Sequence, residues 1–205
     1  EGCEGCENAR EAFVMEVVPV GDDMEEFVPV DEELAEKLGV PCYDEEILQR
    51  MAAESGFAPE FLKEQTEFSA SRNWIGHALY AGMFTGNSYQ DELWALQNKI
   101  ITELAEKGPC VFVGFCAEYI LRKHDNCLRA FIYADLEKRA QRVVERYGET
   151  KVAPEKRVKD KDRRRATYYQ YYTDLKWGAA QNYHISLNSG TMGIDTCVEI
   201  LKRLY

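Results

Sequence analysis

The fold is decided by the stretch QNKIITELAEKGPCVFVGFCAEYIL, which occupies residues 97–121. It continues an amphipathic pattern that predicts a helix over 91–107, because apolar side chains recur there at helical spacing. These side chains are Leu93, Leu96, Ile100, Ile101 and Leu104. Gly108 and Pro109 end the helix, and the apolar run at 110–114 is typical of a buried strand. A helix that leads straight into a buried strand is the repeating unit of an α/β fold.

The same alternation extends along the rest of the chain. We predict strands at 12–20, 110–114, 128–133 and 184–188, an extended piece at 40–43, and helices at 31–38, 45–55, 59–67, 117–123, 137–147, 154–172 and 193–205. Asp31 and Asp44 are the predicted N-caps of the first two helices, since Asp favours that position. The order of elements predicts one α/β domain with three layers, in which a mainly parallel sheet is flanked by helices.

The charge of the chain is unevenly distributed. The 25 basic and 36 acidic residues give a net charge of −11, which argues against a general nucleic-acid binder. Acids dominate residues 1–67, whereas 138–165 is a basic segment. That segment is either a solvated helical face or an anion-binding lid over a phosphate ligand. No apolar run approaches the ~20 residues that a membrane-spanning helix needs, so we expect no membrane association.

Cysteines and histidines indicate neither a metal site nor a hydrolase. The seven cysteines mostly stand beside apolar residues, which predicts free thiols in a reduced cytoplasm. Cys3 and Cys6 form a CxxC with no second pair, so we predict no zinc site there. His77, His124 and His184 lie in unrelated segments without the H-E-x-x-H or G-x-S-x-G context of hydrolases.

Four segments form a pattern that is more specific than any one of them. They are LAEKLGVPCYDEEIL at 34–48, the stretch at 97–121, FIYADLEKRAQRVVERYG at 131–148, and KDRRRATYYQYYT followed by KWG within 161–178. In this order and spacing they resemble the cytidylate kinase-like family, a branch of the P-loop nucleoside monophosphate kinases. The similarity runs from about residue 31 to residue 205.

The resemblance implies a P-loop kinase-like fold within the single domain of residues 1–205. Its core would comprise 12–44, 108–136 and 179–205. A small lobe of the type that binds nucleoside monophosphates would occupy 45–95, and a helical lid would occupy 138–178. The implied activity is ATP-dependent phosphoryl transfer to a CMP-like nucleotide, with ATP and Mg²⁺ as cofactors if the protein is active.

The resemblance also implies roles for particular residues, because such enzymes position phosphates and neutralise developing charge with arginines. The residues implied in catalysis are Arg139, Arg142, Arg163 and Arg165. The residues implied in substrate binding are Asp44, Arg50, Lys159 and Asp162. Among these, Asp44 matches the position that holds the nucleobase-sugar end and Arg50 a position for the acceptor phosphate. The tyrosines at 168–172 either pack the lid or stack on a base.

Two departures from the family pattern put activity in doubt. The family has a Gly-Ser-Gly-Gly type phosphate loop before the first helix, whereas residues 21–33 hold one glycine and seven acids, and no GxxxxGK(S/T) occurs. A carboxylate ~4 Å from a phosphate oxygen would repel it by about 4 kcal/mol at an effective dielectric near 20. The second departure is Phe115, which replaces the arginine that faces the acceptor phosphate in the family.

Three hypotheses follow from this combination. The chain is a degenerate kinase-like protein, an active nucleotide kinase with a non-standard donor site, or an anion- or nucleic-acid-binding module that uses the basic segment. The aromatic stretch at 68–94, with Trp74 and Trp94, could also pack a homo-oligomer interface. We expect a nucleotide rather than a nucleic acid as the partner.

Overall fold

A computed structural model describes residues 12–17, 30–59, 61–62 and 89–205, and the statements below concern these residues. They form a five-stranded sheet in the order β2-β3-β1-β4-β5, in which all neighbouring strands are parallel. The strands are β1 (Ala12–Val17), β2 (Cys42–Tyr43), β3 (Cys110–Val113), β4 (Cys127–Tyr133) and β5 (Ile185–Asn188). The predicted parallel sheet is therefore correct, and residues 18–20 of the predicted first strand lie outside the described residues.

Helices connect the strands as the sequence predicts. They are α1 (Val30–Leu38), α2 (Glu45–Ser55), α3 (Tyr89–Ala105), α4 (Ala117–Ile120), α5 (Leu136–Tyr147), α6 (Pro154–Thr173), α7 (Ser189–Met192) and α8 (Ile194–Arg203). A short 3-10 turn at Ala180–Asn182 precedes β5. The predicted terminal helix at 193–205 begins at Ile194, just after Gly193, which has a φ of 82°, and the short helix α7 before it was not predicted. Most of the predicted helix at 59–67 lies outside the described residues.

The sheet is buried on both faces by two separate layers of side chains. Val111 and Val113 of β3 face one cluster, which includes Leu34 of α1 and Leu201 of α8. The alternate residues of β3 face the other cluster, which includes Met51 of α2 together with Ile100 and Ile101 of α3. Because parallel strands are covered on both sides, they are continuously apolar rather than alternating. This is the predicted three-layer architecture.

The predicted N-cap of the first helix is wrong, whereas that of the second helix is correct in position. The first helix begins at Val30, so Asp31 lies inside the first turn, and its exposed fraction is 0%. The reason is its spacing: Asp31 stands three and four residues before the buried Leu34 and Ala35 and therefore shares their face of the helix. Asp44 occupies the N-cap position of the second helix, but its side chain makes no cap hydrogen bond there.

The strand register defines the edge where a ligand would bind. Ala12 at the start of β1 pairs with Cys110 and with Cys127, the first residues of β3 and β4. The strands therefore start level, and their carboxyl ends meet at the opposite edge, where open α/β sheets bind ligands. Within the described residues, no helix is both long enough and apolar enough to cross a membrane.

Candidate functional site

The candidate site lies at the carboxyl edge of the sheet, where β2 and β3 end and α1 begins. Asp44 directly follows β2, and Gly114 and Phe115 directly follow β3. Asp31 approaches the same edge from the first turn of α1, which packs against both strands. Residues 21–29 of the acidic loop lie outside the described residues. The site is therefore built from three elements that the fold brings together.

Asp31 is the most unusual group at this edge. It is fully buried, and within the described part of the chain neither of its carboxylate oxygens has a hydrogen-bond partner. Burial raises the pKa of its carboxyl group well above the usual value, and the negative charges of Asp44 and Glu32 raise it further. A helix N-terminus that would otherwise favour an anion thus carries a buried carboxyl group.

Cys42 lies in the same negatively charged surroundings as Asp31. Its thiol is half-buried, and burial raises its pKa to about 12, with smaller contributions from Asp31, Asp44, Glu32 and Cys110. Asp31 and the two acids that act on it therefore also act on this thiol at the start of β2. At neutral pH the thiol therefore stays protonated, which makes it a poor nucleophile.

The turn after β3 has an unusual backbone. Gly114, Phe115 and Cys116 have φ values of 67°, 55° and 51°, which places three consecutive residues in the left-handed region. For residues other than glycine this conformation costs about 1–2 kcal/mol each, so tertiary contacts must hold it. The side chain of Phe115 packs against the apolar cluster that contains Phe112 and Leu121. Phe115, which is expected to depart from the family pattern, is therefore part of the core packing.

Gln97 holds this turn and joins it to α6. Its side chain is fully buried; Nε2 donates to the backbone oxygen of Phe115 at 2.8 Å, and Oε1 accepts from the Tyr168 hydroxyl at 2.9 Å. Nearby, the rings of Trp94 and Tyr172 stack with centroids 4.4 Å apart. These tyrosines therefore anchor the end of α6 on α3, as the packing interpretation predicts, and Trp94 is engaged within the chain.

Two of the predicted site residues, Arg139 and Asp162, form an ion pair with each other. Nη1 of Arg139 donates to Oδ2 of Asp162 at 2.7 Å, and Nη2 donates to Oδ1 at 2.6 Å. The exposed fraction of Arg139 is only 5%, so this is a largely buried, bidentate ion pair between α5 and α6. Such charge-assisted pairs are strong and geometrically specific. We call the two packed helices the α5–α6 hairpin.

Two other predicted basic residues pair with acids on their own helices. Arg50 donates to Glu46 on its own helix at 3.0 Å through Nε, and its Nη2 lies 2.9 Å from the same oxygen. Arg163 donates to Asp160 at 2.9 Å on the exposed side of α6. Burial raises the pKa of the Cys197 thiol on α8, and the charge of Arg142 on α5 partly offsets that effect.

Lys159 and Arg165 complete the predicted set on α6. Lys159 is exposed, and Arg165 is half-buried six residues further along the helix. Neither residue belongs to the ion pairs described above for Arg139 and Arg163.

Sequence reasoning missed two residues of this edge, although a signal existed for each. Gln97 interrupts the apolar stripe of α3, four residues after Leu93 and three before Ile100, so its burial could be read from spacing. Asp31 likewise falls on the buried stripe of α1. A polar residue on a buried stripe needs a partner, but the sequence does not identify that partner.

The candidate site suits the cation Mg²⁺ better than it suits the phosphate groups of ATP. Carboxylate oxygens are the ligands that Mg²⁺ prefers, and the unbonded oxygens of Asp31 beside Asp44 fit such an ion. The same carboxylates repel a phosphate group that approaches without a cation. Within the described ranges, no group of three or more His, Cys, Asp or Glu residues is placed to hold a metal.

Comparisons with known proteins agree with this geometry. The sequence profile of the cytidylate kinase-like family matches residues 30–191. An uncharacterized protein from Eubacterium ventriosum has a similar structure, with a TM-score of 0.68 and 24% identity over 95% of this chain and 97% of that chain. No curated protein gives a match.

Two solved kinases share the fold at lower identity. A gluconokinase from Sinorhizobium meliloti 1021 has a TM-score of 0.54 and 14% identity, over 96% of this chain and 94% of its own. A shikimate kinase from Bacteroides thetaiotaomicron has a TM-score of 0.52 and 12% identity, over 96% of this chain and 98% of its own. The predicted P-loop kinase-like fold is confirmed.

Proposed function

This chain belongs to the cytidylate kinase-like family, and we propose that it is a nucleotide-binding member in which phosphoryl transfer has become very weak or has been lost. Its family and fold make it a nucleotide-kinase-like protein. The observation that carries the proposal is the buried carboxyl group of Asp31 in the first turn of α1. In the family, that helix terminus faces the donor phosphates.

Electrostatic magnitudes support a poor donor site. A helix N-terminus attracts an anion by roughly 0.3–1 kcal/mol at the surface. One carboxylate ~4 Å from a phosphate oxygen repels it by about 4 kcal/mol at an effective dielectric near 20. Protonation of Asp31 removes its own charge, but Glu32 and Glu33 stand in the same turn. The repulsion therefore outweighs the attraction.

The acceptor side supports the same proposal. Phe115 lies where the family has an arginine, and its ring packs into the apolar cluster. A charge-assisted hydrogen bond contributes roughly 1.5–3 kcal/mol, so its loss weakens acceptor binding by about one to two decades. Arg50, the other cation predicted for this phosphate, is paired with Glu46. The acceptor phosphate therefore lacks the arginine that Phe115 replaces, and its second predicted cation, Arg50, is shared with Glu46.

The α5–α6 hairpin supports retained binding of a nucleotide. The ion pair between Arg139 and Asp162 fixes the two helices to each other, and Lys159 and Arg165 lie on the same α6 helix. We assign this hairpin the role of the lid, with these two residues as phosphate contacts and Arg142 and Arg163 as weaker contributors. The partner is a nucleotide, and ATP with Mg²⁺ would be the cofactors of any residual activity.

A coupled phosphoryl-transfer assay over a panel of nucleoside monophosphates tests this proposal. The wild-type chain should show no turnover above background with ATP and Mg²⁺. A variant that combines Phe115→Arg with a glycine-rich loop in place of residues 21–30 should gain turnover, whereas Phe115→Arg alone should not, because the donor site would still repel phosphate. Wild-type turnover that disappears in Arg165→Ala would contradict the proposal.

An active kinase with a non-standard donor site is the second candidate. The intact bidentate pair in the hairpin favours it, because a lid that no longer covers phosphate is under no chemical demand to keep that geometry. Isothermal titration calorimetry with ATP and Mg²⁺ separates the two candidates. Tight ATP binding by the wild-type chain would favour an active kinase, and no heat of binding would eliminate it.

The remaining alternative is a module that binds polyanions through the basic segment. Two of its arginines are already paired with acids, Arg139 with Asp162 and Arg163 with Asp160, which leaves less charge for phosphates. Titration with single-stranded RNA at several salt concentrations tests it. A steep loss of affinity with salt would favour the module, and absent or salt-independent binding would count against it.

Location and assembly are further parts of the proposal. The described cysteines, five in number, are all free thiols, which supports a reducing compartment such as the cytoplasm. The proposed homo-oligomer interface at 68–94 falls mostly outside the described residues. Light scattering of the purified chain tests for the oligomer directly.

A further inference from the structure

We propose that the pocket between α2, α3 and α6 binds the uncharged base of a nucleoside and does not need a phosphate group on that ligand. Its lining includes Met51 of α2, Leu93 and Trp94 of α3, and Tyr168 and Tyr172 of α6, together with the side chains of two glutamines of α3. The proposal rests on the proposed function, because it names the class of ligand that a nucleotide-kinase-like chain takes up on its acceptor side.

The pocket adjoins the turn after β3. Gln97, which lines the pocket, donates from Nε2 to the backbone oxygen of Phe115 at 2.8 Å. Phe115 stands where the family resemblance predicts the arginine that faces the acceptor phosphate. A ligand in this pocket would therefore lie on the acceptor side of the carboxyl edge.

The described lining of the pocket carries no charged side chain. It consists of two amides, two phenols, one indole and the apolar side chains of Met51 and Leu93. An anion that enters such a lining loses its hydration without gaining a cation, which is costly, whereas an uncharged ring pays no such penalty. The chemistry of the lining therefore favours the base of a nucleoside over a phosphate group.

Two aromatic rings already form a stack at the side of the pocket. The ring centroids of Trp94 and Tyr172 lie 4.4 Å apart with their planes at 13°, and the ring of Tyr168 packs against that of Tyr172 at 4.8 Å. Trp94 and Tyr172 are only half-buried, so part of each ring remains accessible. Bases stack on aromatic side chains with little dependence on which base it is, because every base has a π-face. The stack therefore offers a platform for a base.

Gln90 supplies the observation that points to a ligand. Its exposed fraction is 9%, and within the described part of the chain its side-chain amide makes no hydrogen bond; the Tyr172 hydroxyl donates to its backbone oxygen instead, at 3.4 Å. Buried polar groups are almost always paired, so an unpaired amide on the wall of a pocket requires an explanation. A carboxamide presents a donor and an acceptor side by side, which matches the hydrogen-bonding edge of a nucleobase.

The shape of the pocket determines how a base would enter. Its enclosed part has room for about one water molecule, and the remainder is open to solvent. We therefore expect only the hydrogen-bonding edge of the base to reach Gln90, while the rest of the ring lies against Trp94 and Tyr172 and the ribose stays outside. A bound water alone is the alternative occupant, and titration with nucleosides separates the two.

Isothermal titration calorimetry of the whole chain with cytidine, adenosine and their 5′-monophosphates tests the site. At least one nucleoside should bind, with one molecule per chain, and its monophosphate should bind no more than about tenfold more tightly, because the described lining offers no cation. A larger preference for the monophosphate would overturn the proposal. If neither nucleoside binds, the proposal is also overturned and water remains as the partner of Gln90; if the monophosphates nonetheless bind, the proposed function stands without it. Nucleoside binding by a chain that binds no nucleotide would contradict the proposed function alone.

Two variants locate the binding site within the chain. Gln90→Leu and Trp94→Leu should each weaken nucleoside binding at least about tenfold, the first through lost hydrogen bonds and the second through lost stacking. Gln170→Leu, at an exposed glutamine of α6, is the matched control and should bind within about twofold of wild type.

Thermal unfolding provides the second readout and checks that the variants fold. The nucleoside should raise the melting temperature of wild type and of Gln170→Leu but not of Gln90→Leu at the same concentration. Should Trp94→Leu not fold, Gln90→Leu alone decides the question. Nucleoside binding that is as tight in Gln90→Leu as in wild type would place the base elsewhere and overturn the proposal.

Discussion

The α5–α6 hairpin and the first turn of α1 differ in how they accommodate a buried ionisable side chain. Each region buries an ionisable side chain: Arg139 is 5% exposed in the hairpin, and Asp31 is 0% exposed in α1. Arg139 makes two hydrogen bonds of 2.6–2.7 Å with Asp162, whereas Asp31 has no partner for either oxygen among the described residues. One buried charge is matched inside the chain, and the other is not.

This difference determines what the buried charges of Arg139 and Asp31 each indicate about the protein. A matched buried pair fixes the arrangement of the elements that supply it, so Arg139 and Asp162 explain the geometry of the hairpin more directly than they explain catalysis. An unmatched buried group has a free energy that depends on what enters from solvent, either a proton or a cation. Responses to pH and metal ions should therefore concentrate at α1, and responses to loss of a side chain should be larger in the hairpin.

Breaking the matched pair should have the largest effect. Asp162→Ala leaves the guanidinium of Arg139 buried without its bidentate partner, which we expect to lower the free energy of unfolding by about 3 kcal/mol. Urea denaturation monitored by circular dichroism measures it. Arg163→Ala, which breaks an exposed pair on the same helix, is the control and should change stability by less than about 0.5 kcal/mol. Equal effects of the two variants would contradict the distinction.

The buried residues Arg139 and Asp31 show which features of the structure could be predicted from the sequence and which could not. Strands such as β3 and helices such as α3 are predictable, because apolar spacing alone determines which face is buried. Arg139 and Asp162 were each identified through the family resemblance, but their pairing across 23 positions depends on how two helices dock. The position of Asp31 on a buried stripe was readable, yet its lack of a partner is a property of the packed edge.

The second largest effect should come from Gln97, which is also matched within the chain. Gln97→Leu leaves the Phe115 carbonyl and the Tyr168 hydroxyl without their partner, and we expect a loss of about 2 kcal/mol in the free energy of unfolding. Gln141→Leu, on the exposed side of α5, is the control and should be nearly neutral. Hydrogen exchange should also increase at residues 114–116 in the first variant, because Gln97 holds that left-handed turn. Unchanged exchange there would contradict this role.

The unmatched group should produce a pH dependence that the matched pair lacks. Burial raises the folded-state pKa of Asp31 above its unfolded value, so the folded state binds the proton more tightly. The stabilisation is complete below about pH 4, the unfolded pKa of Asp, and is lost as pH rises through the folded pKa, at no more than about 1.4 kcal/mol per pH unit. Denaturation in EDTA at several pH values measures it.

Asp31→Asn tests the assignment of that pH dependence. The variant should be more stable than wild type at pH 7 by about 1–2 kcal/mol, because it removes the cost of a buried carboxylate. Near pH 4 the two proteins should be almost equally stable, because the wild-type carboxyl group is then protonated. Parallel pH profiles for wild type and variant would show that another group is responsible.

The smallest effect should appear on the outer surface of α1, at Lys37, nearly two helical turns beyond Asp31. Lys37 lies between Glu33 and Glu199, at 2.9 and 3.1 Å, and the hydrogen bonds that its ammonium group donates to these two acids raise its pKa. Both ion pairs of Lys37 are solvent-exposed, and exposed ion pairs are screened by salt. Lys37→Ala should therefore leave the melting temperature unchanged within error at 150 mM NaCl. A drop of several degrees in Lys37→Ala, measured by differential scanning calorimetry, would mean that these exposed contacts stabilise α1 more than exposed ion pairs ordinarily do.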